Sequence, residues 1–414
     1  MKIEIRHLGV IDKASIDLKP LTVFIGENGT GKTWTAYTLE AIFGTYGHEQ
    51  YLNAYLNRQT QQTYPPLDKA STQLLEEGYT KFDITQLSDY LEIYLNDVAR
   101  LAPSWMPARL NTRRVTFEQL QVRIELADMK STLANKLMAT AVNEKQSVIN
   151  GSLNAVKEAE DSILYVFSEG DILDKLPRQT VRQFLVSQLF NLIRASLYSQ
   201  TFKFPVDRVN ETTVSVGTNS EKAERLSKYR RLAEFLENDI LRGSVDFENA
   251  ELGKELIFQV NKTKLEMSVS SSMIRELAPL VLYLRYHATP NNLIVLDEPE
   301  MNLHPAVQVE LTEFLAMLVN AGLHVLITTH SPYIVDHIGN LMQAARHDNQ
   351  ESIKELFYLE QTEAFIPQEQ VSIYLFEEGT TRNIVDDKGI IDWSTFGNVS
   401  ADVSDIYPQV LITD

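Results

Sequence analysis

Gly26-Glu27-Asn28-Gly29-Thr30-Gly31-Lys32-Thr33 is the stretch from which the rest of the chain is read. An apolar run, Leu21-Thr22-Val23-Phe24-Ile25, leads into it, and a helix-like stretch from Thr33 to Phe43 follows. A buried strand, a Gly-rich turn and a helix start, in that order, aim backbone N–H groups and the positive end of a helix dipole at one point. That point suits an anion. The spacing is that of a phosphate-binding P-loop. Asn28, Gly29, Thr30 and Gly31 are expected to wrap the phosphates, Lys32 to reach the β- and γ-phosphates, and the Thr33 hydroxyl to bind Mg²⁺. The expected ligand is therefore ATP with Mg²⁺.

The chain has 414 residues, enough for two or three domains with a sizeable core. Its 38 basic and 56 acidic residues give a formal net charge of −18, a balance that disfavours a protein gripping nucleic acid mainly by electrostatics. Local basic patches are still compatible with that balance. There is no cysteine, which excludes disulfides, Cys-ligated zinc and thiol catalysis. Met1-Lys2-Ile3-Glu4-Ile5 carries no signal-peptide core, and no apolar run approaches the length of a membrane span. A soluble cytoplasmic protein with no membrane role is the expectation.

Alternation over Lys2–Leu8 and Ala14–Leu18 predicts two short strands ahead of the P-loop strand. From about Gly44 to Val206 the text turns polar and mostly helical, with helical spacing over Leu87–Leu101, Leu126–Ala141 and Thr180–Leu197 and a strand-like piece at Val115–Leu126. Beyond Phe202 the strand-and-helix rhythm returns. It predicts a strand at Phe202–Val206, a charged helix over Glu221–Leu241 and a hairpin of Leu256–Val260 with Lys264–Ser268 around Asn261-Lys262. Helices are expected at Met273–Tyr286, Pro305–Val319 and Pro332–Ala345, and strands at Leu293–Leu296, Val325–Thr328, Leu356–Leu359 and Val371–Phe376. The expected organisation is an α/β P-loop core in two parts, residues 1–45 and 201–414, interrupted by a mainly helical insertion over 46–200.

Asn292-Leu293-Ile294-Val295-Leu296-Asp297-Glu298 is an apolar strand ending in two acids. Asp297 is expected to hold the shell of the Mg²⁺ bound by Thr33, and Glu298 to polarise the attacking water. Phosphoryl transfer needs mainly positioning and charge neutralisation, so one base and one metal suffice. Leu326-Ile327-Thr328-Thr329-His330-Ser331 then brings a histidine to the end of another apolar strand, where His330 can hydrogen-bond the γ-phosphate. Lys32, Glu298 and His330 are the candidate catalytic residues.

Together these motifs resemble the ABC-type ATPases, and within them the AAA-annotated group related to the OLD (overcoming lysogenization defect) proteins. That group carries Asp-Glu-Pro-Glu followed by Leu-His-Pro, as in Asp297-Glu298-Pro299-Glu300-Met301-Asn302-Leu303-His304-Pro305, and a Thr-His-Ser switch, as in Thr329-His330-Ser331. The likeness covers roughly residues 1–45 and 200–345. It implies an ABC-type fold with a mixed sheet and a Ser-containing signature at a helix N-terminus that contacts the partner subunit's γ-phosphate. The matching place is Ser268-Val269-Ser270-Ser271-Ser272-Met273, with Ser270, Ser271 and Ser272 as candidate contacts and Met273 standing where such families often have Gly. By the same resemblance the active form is a homodimer, or a larger assembly, with ATP sandwiched between subunits. Arg208 in Pro205-Val206-Asp207-Arg208 is a candidate for the nucleotide or the subunit interface. The Gln-containing loop of ABC proteins has no evident counterpart.

Val371-Ser372-Ile373-Tyr374-Leu375-Phe376-Glu377-Glu378-Gly379 resembles the first acidic strand of a Toprim nuclease domain, but no Asp-x-Asp pair follows it. It reads better as part of a β-rich end to the ATPase core. Lys228-Tyr229-Arg230-Arg231 and the group Arg109, Arg113 and Arg114 are the visible basic clusters, with a solvated helix face as the ordinary reading. Two functions remain in view. One is an ATP-hydrolysing switch that dimerises on ATP and controls a separate effector, such as a nuclease or toxin; stand-alone members of the resembled group often occur in bacterial anti-phage defence systems. The alternative is a DNA-repair or chromosome-structure ATPase that clamps nucleic acid directly.

Overall fold

The computed structural model of the chain describes residues 1–60, 63–77, 79–126, 153–159, 162–168, 178–198, 200–204, 220–250 and 253–392. Two compact units emerge. One comprises Met1–Asp17, Tyr37–Phe202 and Asn291–Leu293, and the other Leu18–Ala36, Lys203–Pro290 and Ile294–Asp414.

The second unit is organised around the P-loop strand, Leu21–Gly26, buried at every position. An apolar run without alternation demands sheet neighbours on both sides and cover on both faces. Its two neighbours are both parallel. Val325 to Thr329 of strand His324–Thr329 align with Leu21 to Ile25 on one side. Val371 to Phe376 of strand Val371–Glu377 align with Leu21 to Gly26 on the other. Leu293–Asp297 lies beyond His324–Thr329, and Thr380–Asn383 pairs antiparallel with Val371–Glu377, which makes the sheet mixed. The segment that resembles a Toprim strand is thus a direct neighbour of the P-loop strand.

Local chemistry sets the ends of the surrounding helices. Lys32–Phe43 starts on the Gly-rich turn. Pro305–Asn320 and Pro332–Ala344 each begin with Pro, whose missing N–H costs nothing there, and are capped by the side chains of His304 and Ser331. Ser272–Tyr286 is capped by Ser271. The charged helix is α-helical over Ser220–Phe235 and then widens into a π-helical turn, Leu236–Leu241. Buried Glu237 explains why that turn is stable: its carboxylate accepts from Val245 N at 2.6 Å and pairs with Arg285 at 2.7 Å. Tyr229 is buried and donates to Ala321 O at 2.8 Å, while Lys228, Arg230 and Arg231 are exposed.

The strand expected at Leu356–Leu359 does not form; a short 3₁₀ turn, Lys354–Leu356, leads into irregular chain. Fully buried Glu313 accepts from Tyr358 N at 2.9 Å and Leu359 N at 2.7 Å, so the donors a strand would give to a ladder go to a carboxylate.

In the first unit, Lys2–Leu8 and Ile11–Asp17 form the expected hairpin, and Gln121–Glu125 pairs antiparallel with Lys2–Leu8 on its other side. The open edge of Gln121–Glu125 is covered from helix Leu91–Arg100: the Asn96 amide donates to Ile124 O and accepts from Ile124 N, at 2.8 and 2.9 Å. Helices Thr45–Leu56, Pro65–Glu77, Leu91–Arg100, Ala102–Arg109 and Arg178–Leu197 carry most of the unit. Its core is aromatic, with Phe190 packed against Tyr51, Tyr55, Tyr64 and Tyr94. Both the Tyr51 and the Tyr64 hydroxyls donate to Oδ2 of buried Asp97. The expectation of a mainly helical segment missed a second antiparallel sheet, ordered Tyr79–Asp83, Ser162–Ser168, Leu153–Ala159. Arg109 pairs with Glu40 and lies over the Tyr46 ring, whereas Arg113 and Arg114 are exposed. The helix expected at Leu126–Ala141 falls, from residue 127 on, outside the described residues, as does Arg208.

Candidate functional site

The Gly-rich turn sits where the P-loop strand ends. Gly26, Gly29 and Gly31 have φ of +151°, +79° and +94°, backbone angles that side-chain-bearing residues rarely adopt. At Gly26 the neighbouring strand adds a second constraint: a Cβ would lie 2.4 Å from Phe376 O. Thr30 Oγ1 donates to Glu27 O at 2.9 Å, pinning the turn across its own width. Asn28 and Gly29 are exposed at its tip. Lys32, 4 % exposed, lays its ammonium against the turn, donating to Gly26 O at 2.9 Å and Glu27 O at 2.8 Å. Burial pulls its pKa down, and the carboxylates of Glu298, Asp297 and Glu300 oppose that shift. Lys32 is thus a desolvated cation facing three acids.

Asp297 ends its strand next to this turn. Its Oδ1 accepts from Thr33 Oγ1 at 2.9 Å and from Thr328 Oγ1 at 2.5 Å. Glu298 follows in the left-handed region, φ +49°. That conformation costs a non-glycine residue about 1–2 kcal/mol. Two bonds hold it, since Glu298 N donates to Thr328 O at 3.0 Å and to Thr328 Oγ1 at 3.1 Å. Its carboxylate is partly exposed and reaches His330, with Oε1 and Nε2 2.8 Å apart.

Glu300 Oε1 accepts from Thr329 Oγ1 at 2.6 Å and from His330 N at 2.7 Å. Burial pushes the Glu300 carboxyl up, with the nearby Glu298 charge adding to the push and the two hydrogen bonds opposing it. Gln308 ties the same two segments together: its Oε1 accepts from Ser331 Oγ at 2.5 Å and its Nε2 donates to Leu303 O at 3.0 Å. Sequence reasoning missed Thr328, Glu300 and Gln308 as site builders. The only signals available were the doubled hydroxyl Thr328-Thr329 at a strand end and an acid directly after Glu298-Pro299.

Lys32, Thr33, Asp297, Glu298 and His330 therefore stand together within the second unit. Ser270, Ser271 and Ser272 lie at the N-terminus of helix Ser272–Tyr286, and their hydrogen bonds stay local. Ser270 Oγ donates to Glu266 O at 2.9 Å, Ser271 Oγ accepts from Ile274 N at 3.4 Å, and Ser272 Oγ accepts from Arg275 at 3.4 Å. Val269, beside them, is 68 % exposed. Glu276 of the same helix accepts from Asn302 Nδ2 at 3.3 Å, which links the serine-bearing helix to the chain that follows the acid pair.

Among the described residues no three His, Asp or Glu side chains converge as a metal cage. A P-loop does not need one, since Mg²⁺ there takes a hydroxyl and a carboxylate and completes its octahedron with waters and phosphate oxygens. The Thr33 hydroxyl and the Asp297 carboxylate stand 2.9 Å apart, a hydroxyl and a carboxylate of the kind such a site uses.

A strand, Gly-rich turn and helix at the centre of a mixed α/β sheet, with an acid pair on a nearby strand, define a P-loop NTPase fold. The family model described as an AAA ATPase domain matches residues 170–335, a span that includes Asp297, Glu298 and His330. Over that span the chain is similar to AAA ATPase domains. Among solved structures it is similar to an Smc head bound to the C-terminal winged-helix domain of ScpA, at 10% identity over 92% of this chain and 96% of that chain, TM-score 0.38. It is also similar to an Smc head with an extended coiled coil bound to the C-terminal domain of ScpA, derived from Pyrococcus furiosus (10% identity, 92% and 95% covered, TM-score 0.32). A third is the SMC head domain from Thermotoga maritima (11% identity, 92% and 97% covered, TM-score 0.30). No curated protein sequence matches the chain. No helix among the described residues is long and apolar enough to cross a membrane.

Proposed function

We propose that the chain is an ATP-hydrolysing molecular switch that dimerises on ATP and controls a separate effector protein. The observation that carries the reading is the pair of contacts beside the P-loop, Thr33 Oγ1 to Asp297 Oδ1 at 2.9 Å and Glu298 Oε1 to His330 Nε2 at 2.8 Å. In this proposal the turn N–H groups and Lys32 bind and orient the triphosphate, and Thr33 and Asp297 hold Mg²⁺, which supplies charge neutralisation at the phosphates. Glu298 Oε1 takes the proton of the water that attacks the γ-phosphorus. His330, already hydrogen-bonded to that oxygen, keeps it aimed and reaches for the γ-phosphate. The products are ADP and phosphate.

Ser270, Ser271 and Ser272 are proposed to meet the γ-phosphate of a second copy. Their place at a helix N-terminus beside exposed Val269 supports this. The proposed setting, anti-phage defence with a nuclease or toxin as effector, rests on the likeness of Asp297–Pro305 and Thr329–Ser331 to the OLD-related group.

Light scattering on the wild type and Glu298→Gln, with and without ATP and Mg²⁺, tests the reading while phosphate release is followed in parallel. The expected result is an ATP-dependent dimer or larger assembly of the variant with phosphate release abolished. A variant that binds ATP, stays monomeric and still hydrolyses it sinks both the Glu298 and the serine assignments. Turnover stimulated by duplex DNA in the wild type would favour the nucleic-acid clamp instead.

A further inference from the structure

Three features of the Asp297–Ser331 region are left without a role by the chemistry above: buried Glu300, the hydroxyl of Thr329, and the bonds tying the turn at His330 to the turn after Glu298. Glu300 is only 7 % exposed, and Thr329 is fully buried. Burying a carboxyl is expensive unless hydrogen bonds satisfy it, and at Glu300 those bonds fall on one oxygen alone. A staple for stability alone is more cheaply made from apolar side chains of similar volume.

The bonds show what Glu300 holds. Its Oε1 takes Thr329 Oγ1 at 2.6 Å and His330 N at 2.7 Å, and Thr329 Oγ1 in turn takes Ser331 N at 2.9 Å. One carboxyl oxygen thereby organises three consecutive residues of the turn that carries His330. At its own end Glu300 belongs to a tight turn, with Met301 N donating to Glu298 O at 3.0 Å and Leu303 N to Glu300 O at 3.0 Å. The Glu298 and His330 backbones are thus fixed to one another through Glu300, which leaves only side-chain rotations to set the 2.8 Å contact between carboxylate and imidazole. Glu300 is not placed to be a second base: Oε1 is filled by two donors, and Oε2 is buried with no hydrogen-bond partner among the described residues.

We infer that Glu300 is a positioning residue, whose Oε1 anchors the His330 backbone so that the imidazole meets Glu298 in the geometry needed for hydrolysis. This rests on the reading of Glu298 and His330 as the hydrolytic pair. The acceptor oxygen at that distance is what matters. Gln keeps it, Asp withdraws it by one methylene while keeping the charge, and Ala removes it.

The test uses the full chain as wild type, Glu300→Gln, Glu300→Asp, Glu300→Ala, His330→Ala and the double variant Glu300→Ala/His330→Ala. It measures kcat, the Kd of a fluorescent ATP analogue, Tm, and the ring ¹H–¹³C signals of labelled histidine, with the His330 signal assigned by its loss in His330→Ala. Glu300→Asp and Glu300→Ala are expected to lower kcat by roughly 100-fold, the scale on which a misplaced catalytic group loses rate. The Kd should change less than about threefold, as expected when only transition-state contacts are lost. The His330 signal should shift in both. Glu300→Gln should keep kcat and the signal near wild type, and the double variant should be no slower than His330→Ala alone. Several outcomes overturn the inference: a lowered Tm with kcat and the His330 signal unchanged, Glu300→Gln as damaging as Glu300→Asp, or multiplying losses in the double variant. Should Glu300→Ala not fold, Glu300→Asp and Glu300→Gln carry the comparison. If the wild type turns over no ATP, the hydrolytic reading fails by itself, and the His330 signal still decides whether Glu300 positions that ring.

Discussion

Glu298 Oε1 and His330 Nε2 stand 2.8 Å apart although they end two different strands and are fixed by two different backbone devices. Glu298 is held in the left-handed region by Thr328, which lies on the histidine's strand. His330 is held by Glu300, which lies on the glutamate's side. Each segment thus holds the backbone of the residue that ends the other.

The P-loop glycines differ in what they tolerate. At Gly29 a Cβ meets nothing within 4 Å, so Gly29→Ala is limited by its φ of +79° and should cost about 1 kcal/mol. At Gly26 the Cβ would lie 2.4 Å from Phe376 O, and the backbone of the adjacent strand has to move. Gly26→Ala is expected to cost roughly 3 kcal/mol or more, in the range of overpacked cores, and to weaken ATP binding as well. Urea unfolding of both variants checks this, and equal midpoints would show that Phe376 yields without cost.

Thr33 and Asp297 should govern the metal dependence of nucleotide binding and leave metal-free binding nearly intact. Asp297→Asn keeps an acceptor for Thr33 and Thr328 but removes the charge. It is expected to raise the Mg²⁺ concentration at half-effect by about tenfold or more, on the scale of losing one ligand charge. Calorimetric titration of ATP with and without EDTA reads this directly. A variant with wild-type Mg²⁺ dependence would remove Asp297 from the metal site.

The Gly-rich turn, the acid pair and the place of His330 at a strand end were legible because their geometry is written locally. Glycine spacing forces the turn at Gly26–Gly31, an apolar run forces the strand before Asp297, and Ser331-Pro332 starts a helix. What was not legible depended on partners distant in sequence. The strand expected at Leu356–Leu359 gave way to Glu313, more than forty residues earlier in the chain. The single charged helix became a π-helical turn where Glu237 meets Arg285. The sheet of Tyr79–Asp83, Ser162–Ser168 and Leu153–Ala159 joins segments whose pairing no short-range period encodes. Glu300 was visible as a motif letter but not as a ligand of the His330 backbone, since its partners lie on another strand.

Glu313 predicts an unusually costly surface-distant substitution. Its carboxylate takes Tyr358 N, Leu359 N and His337 Nε2, at 2.9, 2.7 and 2.8 Å. Glu313→Ala leaves these groups unpaired in a buried place and should cost about 3–5 kcal/mol. Glu313→Gln, which keeps one acceptor, should cost less. Both can be ranked by urea midpoints, and an Ala variant within about 1 kcal/mol of wild type would mean that water replaces the carboxylate there.

His48 makes the first unit sensitive to acid. It is buried and its Nδ1 pairs with the Tyr94 hydroxyl at 2.8 Å. Burial, reinforced by the positive charge of Arg194, pushes its pKa down from 6.5 to about 4. In the unfolded chain it returns to the ordinary value. Below that value the unfolded state takes up a proton that the folded state refuses, so the contribution of neutral His48 is complete above pH 6.5 and is lost as the pH falls towards 4. Between pH 7.5 and pH 5 the loss should be about 2 kcal/mol. His48→Gln retains a polar partner for Tyr94 and cannot titrate in this range. Urea unfolding of both proteins at the two pH values should therefore show their stability difference shifting by that amount in favour of the variant at pH 5. If the two lose stability in parallel, His48 takes its proton without unfolding the unit, and the acid sensitivity lies elsewhere.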